Sequence, residues 1–246
     1  MIEEIFVAAP TLPAAYHKAL NQLWKYGEET DCPDWNCKQK ELSMTMIVWN
    51  PLQEPMISRC IPCGALELEQ YRQEMIDGIL DFEVEKGNWN YTYHQRMSDQ
   101  ISFVVDELRR NPYSRRAVID IRTPEDQHTS DPACLQHIQY LIRGNELHCK
   151  VLFRSNDAVK ATFMNAIALI MLQKKIADTL SVFMGTYTHR ANSFHCYEKD
   201  YPTLKGYVSR IHSGRNLTYE YAEEWQELME DAKPEIARKV EELRYR

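Results

Sequence analysis

The chain has 246 residues, a formal net charge of -7 and 44% hydrophobic residues, enough apolar material for a sizeable core in one large domain. The acidic balance argues against a nucleic-acid partner, while a few arginines in one pocket would still suit a small anion. No apolar run approaches the roughly 18 residues of a membrane span, and no basic-then-apolar leader opens the chain, so no membrane contact and a cytoplasmic location are expected.

In chain order, residues 9–27 predict a helix, with Ala15, Leu20, Leu23 and Trp24 as its apolar stripe and Gly27 as its stop. Residues 28–41 read as a loop. Residues 44–50 alternate and predict a strand closed by Asn50-Pro51. Residues 64–82 predict a second helix, with Leu66, Tyr71, Met75, Ile76 and Leu80 at helical spacing. A third follows over about 98–110, with Ser98 as its N-cap. Residues 117–122 predict a strand, and 137–144 with 146–155 a hairpin about Gly144-Asn145.

Residues 157–180 predict the longest and most apolar helix. Residues 186–197 predict an extended segment, and two helices near 218–231 and 234–244 end the reading. The expected architecture is α+β, a single domain over residues 1–246.

Several residues carry chemistry. Seven cysteines, an odd number, read as reduced thiols. Cys32-x4-Cys37 and Cys60-x2-Cys63 fit either a zinc or redox site or plain cysteine usage, and spacing alone favours the CxxC pair over Cys134 as the active thiol. Cys149 and Cys196 read as buried structural thiols. Arg154 and Ser155 suit an anion. Asp157 suits a helix N-cap, and Asn165 is an amide in apolar surroundings. Arg115-Arg116 also fits a solvated strand start. His195 and Tyr197, two apart on an extended segment, share one face.

Six stretches recur in one order: NYTYHQR, DQI, NPYSRRAVIDI, DPACLQHIQYLIRG, FRSNDAVKATFMNAIALIMLQ and GTYTHRANSFHCYEKD. Through them, from about residue 9 to 201, the chain resembles the thymidylate synthase family. It is most similar to the archaeal type, and it also resembles phage deoxycytidylate hydroxymethylases. The resemblance implies a large mixed β-sheet flanked by helices, with two such sheets stacked back to back in a homodimer.

It further implies methyl transfer to C5 of dUMP from 5,10-methylenetetrahydrofolate or a related pterin carrier, giving dTMP. Cys134 matches the nucleophile, and nearby arginines would depress its pKa. Arg154 and Ser155 match the phosphate grip, and Arg115 and Arg116 the pair that reaches the neighbouring subunit's phosphate. Asn165 matches the base reader. An amide there favours uracil, where the cytosine enzymes carry Asp. His195 and Tyr197 match the readers of the sugar 3′-hydroxyl, Asp157 a carboxylate near the pterin, and Tyr91 a tyrosine that orders water near C5.

Glu74 is taken as the acid/base carboxylate over Glu67 and Glu69, each of which also fits an exposed helix glutamate. Trp89 is the candidate folate-facing tryptophan, and Lys38 or Lys40 stands in for an N-terminal phosphate loop. The chain departs from the family at Thr92, where a glycine is usual, at Leu135, where His follows the nucleophile in most bacterial and eukaryotic members, and at Met164 beside the base reader. A charged helix ending Arg244-Tyr245-Arg246 replaces an apolar tail. The other functions considered are a pyrimidine nucleotide 5-hydroxymethylase acting on dUMP, dCMP or CMP, and a non-catalytic nucleotide-binding or zinc-stabilised dimer on Cys32, Cys37, Cys60 and Cys63.

Overall fold

The computed structural model describes residues 2–245, so Met1 and Arg246, at the ends of the expected domain and of the charged final helix, lie outside the described residues. β1 (Glu4–Ala9) leads into α1 (Leu12–Tyr26), whose N-cap Thr11 accepts the Ala14 N–H, with Pro13 in the first turn. β2 (Glu28–Cys32) and β3 (Cys37–Val48) form a hairpin in which Cys32 faces Cys37. The loop expected over 28–41 is therefore mostly strand. Its edge is polar because β2 covers nothing, and this hid it from a hydrophobic pattern.

After the short β4 (Ile57–Ser58) come α2 (Ala65–Asp77), a single turn α3 (Phe82–Glu85) and α4 (Tyr93–Arg110). α2 stops at Gly78, whose φ of +67° suits glycine. A Cβ there would also lie 2.2 Å from His94 Nδ1. α4 starts five residues before the expected Ser98, because Thr92 caps it by accepting the Gln95 N–H.

β5 (Val118–Asp120), β6 (Leu135–Arg143) and β7 (Glu146–Asp157) follow, with Gly144 and Asn145 both at positive φ in the β6–β7 turn. α5 (Thr162–Leu180) then carries the chain to β8 (Phe183–Tyr197). The helix expected from 157 begins five residues later, because β7 runs on to Asp157. The sheet order is β1-β3-β8-β7-β6-β5, with β2 also on β3. β1 runs parallel to β3 and β7 parallel to β8, and the other pairs are antiparallel.

α5 is the central beam. Ala166, Ile167, Leu169, Ile170 and Ile176 are all buried, each large aliphatic contributing about 1.5–3 kcal/mol on burial. Gln173, fully buried, donates to the carbonyls of Leu147 (2.7 Å) and Gly185 (3.3 Å), tying the helix to the starts of both parallel strands.

α6 (Tyr201–His212), β9 (Thr218–Tyr219) and α7 (Gln226–Arg244) complete the fold. α6 was not foreseen. α7 is one helix where two were expected on either side of Pro234. The proline sits on the exposed face. Its cost of about 3 kcal/mol is offset by Met229, Ala232 and Ile236, buried on the other face.

Candidate active site

The site forms where β6 starts and where β7 and β8 end. In the parallel β7–β8 register Ser155 pairs with Ser193 and Asp157 with His195, which brings Ser155 beside His195 and Tyr197, while Arg154 reaches the segment that leads into β6. That segment carries Cys134. Arg154 holds it: Nε donates to the Ala133 carbonyl (3.1 Å) and one terminal nitrogen to the Pro132 carbonyl (2.6 Å). The Arg154 backbone N–H donates to the Cys134 carbonyl at 2.8 Å. A guanidinium has five N–H donors, so two bonds to the loop leave others for an anion.

Cys134 is half-buried and free. Burial pushes its thiol pKa up, the Arg154 charge pulls it back, and Asp131 adds to the rise. Facing it from α2 and the start of α4 are Tyr71, Tyr91 and Tyr93. Tyr93 accepts the Leu135 N–H (3.3 Å), and its ring lies 5.8 Å from that of Tyr91. Tyr91 is backed by the Arg96 guanidinium at 4.3 Å, which is itself paired with the buried Asp126.

The three glutamates of α2 separate cleanly. Glu67 reaches back to the Gly64 N–H (2.9 Å), and Glu69, 2% exposed, is bound by Arg72 and Gln73. Glu74 instead lines a cavity of about 400 Å³ with Leu80, Trp89, Tyr91, Tyr93 and Asp131. Burial raises its carboxyl above the ordinary range, and a hydrogen bond from Gln70 (2.8 Å) works the other way.

Asn165, buried on the first turn of α5, accepts the Tyr71 hydroxyl at Oδ1. His195 is buried, and that burial lowers its pKa while the nearby Asp157 charge works the other way. Its Nδ1 lies 3.3 Å from Ser155 Oγ, and its Nε2 is a buried nitrogen without a protein partner among the described residues. Tyr197 packs edge-on against His195 at 4.8 Å, and Trp35, at the tip of the β2–β3 hairpin, approaches the same ring at 6.2 Å. Asp157 Oδ1 accepts the N–H groups of Val159 (2.9 Å) and Lys160 (2.8 Å). It closes the turn before α5 instead of capping the helix.

Arg115 and Arg116 stand apart. They are exposed at the outer end of β5, where Arg116 pairs with Glu107 and the Arg115 carbonyl accepts from Gln139. Lys38 pairs with Glu29, and Lys40 sits over the rings of Trp24 and Tyr201. The four cysteines of the zinc reading do not converge: among the described residues no group of three or more His, Cys, Asp or Glu is placed to hold a metal ion.

Tyr71, Tyr93 and Asp131 were not singled out from sequence. Tyr71 looked like one more apolar-stripe residue. Its one signal is its position three before Glu74, on the same helix face.

Fold and pocket chemistry together define the class: a mixed-sheet enzyme with an aromatic cavity set beside a thiol and a carboxylate. The family model described as thymidylate synthase matches residues 35–236. A Methanocaldococcus jannaschii protein provisionally named a thymidylate synthase is 33% identical, over 82% of this chain and 95% of its own length. The chain belongs to the thymidylate synthase family, whose enzymes are one-carbon transferases of nucleotide biosynthesis. A thymidylate synthase of Bacillus subtilis subsp. natto is 26% identical over 72% of this chain and 62% of its own. In fold, the chain superposes on the thermostable thymidylate synthase A of Bacillus subtilis with a TM-score of 0.67, at 16% identity, covering 85% of this chain and 86% of that one. No helix among the described residues is long and apolar enough to cross a membrane.

Proposed function

We propose that this chain, acting as a single domain within a homodimer, converts dUMP to dTMP. The observation that carries the reading is that the Cys134 thiol, the Asn165 amide and the Glu74 carboxyl all lie about the Tyr71 side chain, with Glu74 also lining the aromatic cavity beside it. Arg154 and Ser155 bind the phosphate, joined by Arg115 and Arg116 of the partner subunit. Their exposed position, away from their own chain's Cys134, supports that reach. His195 and Tyr197 bind the 3′-hydroxyl, for which the unpartnered His195 Nε2 is suited. Asn165 takes N3–H at its oxygen and gives its amide N–H to O4.

With the ring held, the Cys134 thiolate adds to C6, and the electron pair of the C5=C6 bond moves toward O4. Glu74, kept protonated more readily by its surroundings, stabilises O4 through water and returns the proton later. C5 then forms its new bond to the methylene carbon, the water ordered by Tyr91 takes the C5 proton as the carrier's nitrogen leaves that carbon, and hydride addition there expels the Cys134 sulfur from C6 and restores the double bond. A flat pterin suits the Trp89, Leu80 and Tyr91 walls of the cavity, and the family resemblance makes Asp157 a carboxylate near it. The bound carrier, 5,10-methylenetetrahydrofolate or a related pterin, supplies the methylene unit and the hydride.

The test is incubation with dUMP and the methylene carrier, following dihydrofolate by its near-ultraviolet absorbance and identifying the nucleotide by mass. Formation of dTMP with dihydrofolate is expected. A 5-hydroxymethyl product without dihydrofolate would replace methylation by hydroxymethylation, and no change in the nucleotide would remove the reading.

A further inference from the structure

An asparagine alone is an ambiguous reader of a pyrimidine. With its oxygen toward N3 and its nitrogen toward the ring's 4-substituent it matches uracil. Turned over, it matches cytosine, which presents an acceptor at N3 and a donor at N4. The two ends are nearly equal in size, so selectivity requires something that fixes the amide.

Tyr71 is placed to do this. Its hydroxyl donates to Asn165 Oδ1 from across the site, on α2, one helical turn before Glu74. A carbonyl oxygen accepts two hydrogen bonds, so the same Oδ1 can still take N3–H. Burial, with Glu74, Tyr91 and Cys134 close by, holds the phenol far above its usual range, so it keeps its proton. If the amide turned over, the hydroxyl would face N–H groups. It could then only accept, and its own proton has no other protein partner among the described residues. A buried donor left unpaired is penalised.

We propose that Tyr71 sets the pyrimidine specificity of this site by locking the Asn165 amide in its uracil-reading orientation. This rests on the nucleotide-binding reading above, and it makes Tyr71 a positioning residue that acts through Asn165.

The test compares dUMP and dCMP affinities by calorimetry for the full chain and for Tyr71→Phe, with 2-deoxyribose 5-phosphate as a base-free probe. Wild type is expected to prefer dUMP. Tyr71→Phe is expected to reduce that preference by about tenfold or more and to leave the base-free probe bound as before. In an Asn165→Ala background, Tyr71→Phe should change the preference no further, the mark of one coupled pair.

Tyr71→Phe with the wild-type preference overturns the proposal and leaves the nucleotide reading intact. So does an equal loss for all three ligands, which would make Tyr71 structural only. A wild type that binds neither nucleotide overturns the nucleotide reading itself, and the proposal with it.

Discussion

At Cys134, burial and the Arg154 charge oppose each other, and burial has the larger effect. The nucleophilic form is the thiolate, so alkylation of Cys134 by iodoacetamide, read by mass spectrometry, should keep rising with pH beyond the range of an ordinary thiol. Arg154→Gln removes the attracting charge and should slow the reaction several-fold at pH 8. Arg154→Lys keeps the charge but loses the bonds to the loop, so it should stay near the wild-type rate. A Lys variant as slow as Gln would mean that the loop bonds, not the charge, control the thiol.

Glu74 gives a prediction of opposite sign for activity and stability. Its folded carboxyl is raised, so the unfolded chain loses this proton first as pH climbs. Its contribution to stability therefore falls from the ordinary carboxylate range up through the raised value. Glu74→Gln removes that loss. The variant should melt no lower than wild type at pH 8 while turnover drops by about 100-fold or more. Selecting Glu74 over Glu67 and Glu69 was possible only by resemblance, because all three look alike on a helix. The structure separates them by their partners.

Among the elements, α5 carries the site and also anchors the sheet. Gln173 satisfies buried carbonyls of both parallel strands, and Asn165 sits two turns earlier on the same rod. Gln173→Leu would leave those carbonyls unpaired and should cost about 1–3 kcal/mol. The urea midpoint should fall with the slope unchanged. Elements with a strong apolar period or explicit turn chemistry, such as α1, α2 and the Gly144-Asn145 hairpin, were legible in the sequence. β1, the polar edge strand β2 and α6 were not, since little of their surface is set by an alternating core pattern. The start of α5 was misplaced because Asp157 offers capping chemistry in the sequence, whereas the β7–β8 pairing keeps the chain extended as far as Asp157.

For the whole molecule, the two Arg115-Arg116 guanidinium groups lie where their own Cys134 does not. A site shared between subunits follows from the proposed homodimer. Cys134→Ala and Arg115→Ala/Arg116→Ala should each be nearly inactive. Unfolding and refolding them together should restore about a quarter of wild-type turnover, because half of the dimers are mixed and each mixed dimer has one complete site. No restoration would mean that the two arginines do not serve the neighbouring subunit's site. Membership of the family was legible from six ordered stretches. The tyrosine cluster was not, because Tyr71 and Tyr93 meet Cys134 only after α2, α4 and the β6 entry pack together.

The β2–β3 hairpin has a last consequence. Its tip sets the indole of Trp35, 66% exposed, against the Tyr197 ring proposed to hold the sugar. The protein thereby carries its own optical gauge. Filling the site would change the surroundings of that indole, so dUMP titrated into the chain should alter tryptophan emission along a saturable curve. Trp35→Phe should flatten most of that response while leaving the calorimetric affinity within about threefold. Occupancy could then be followed in real time, in solution and without a label.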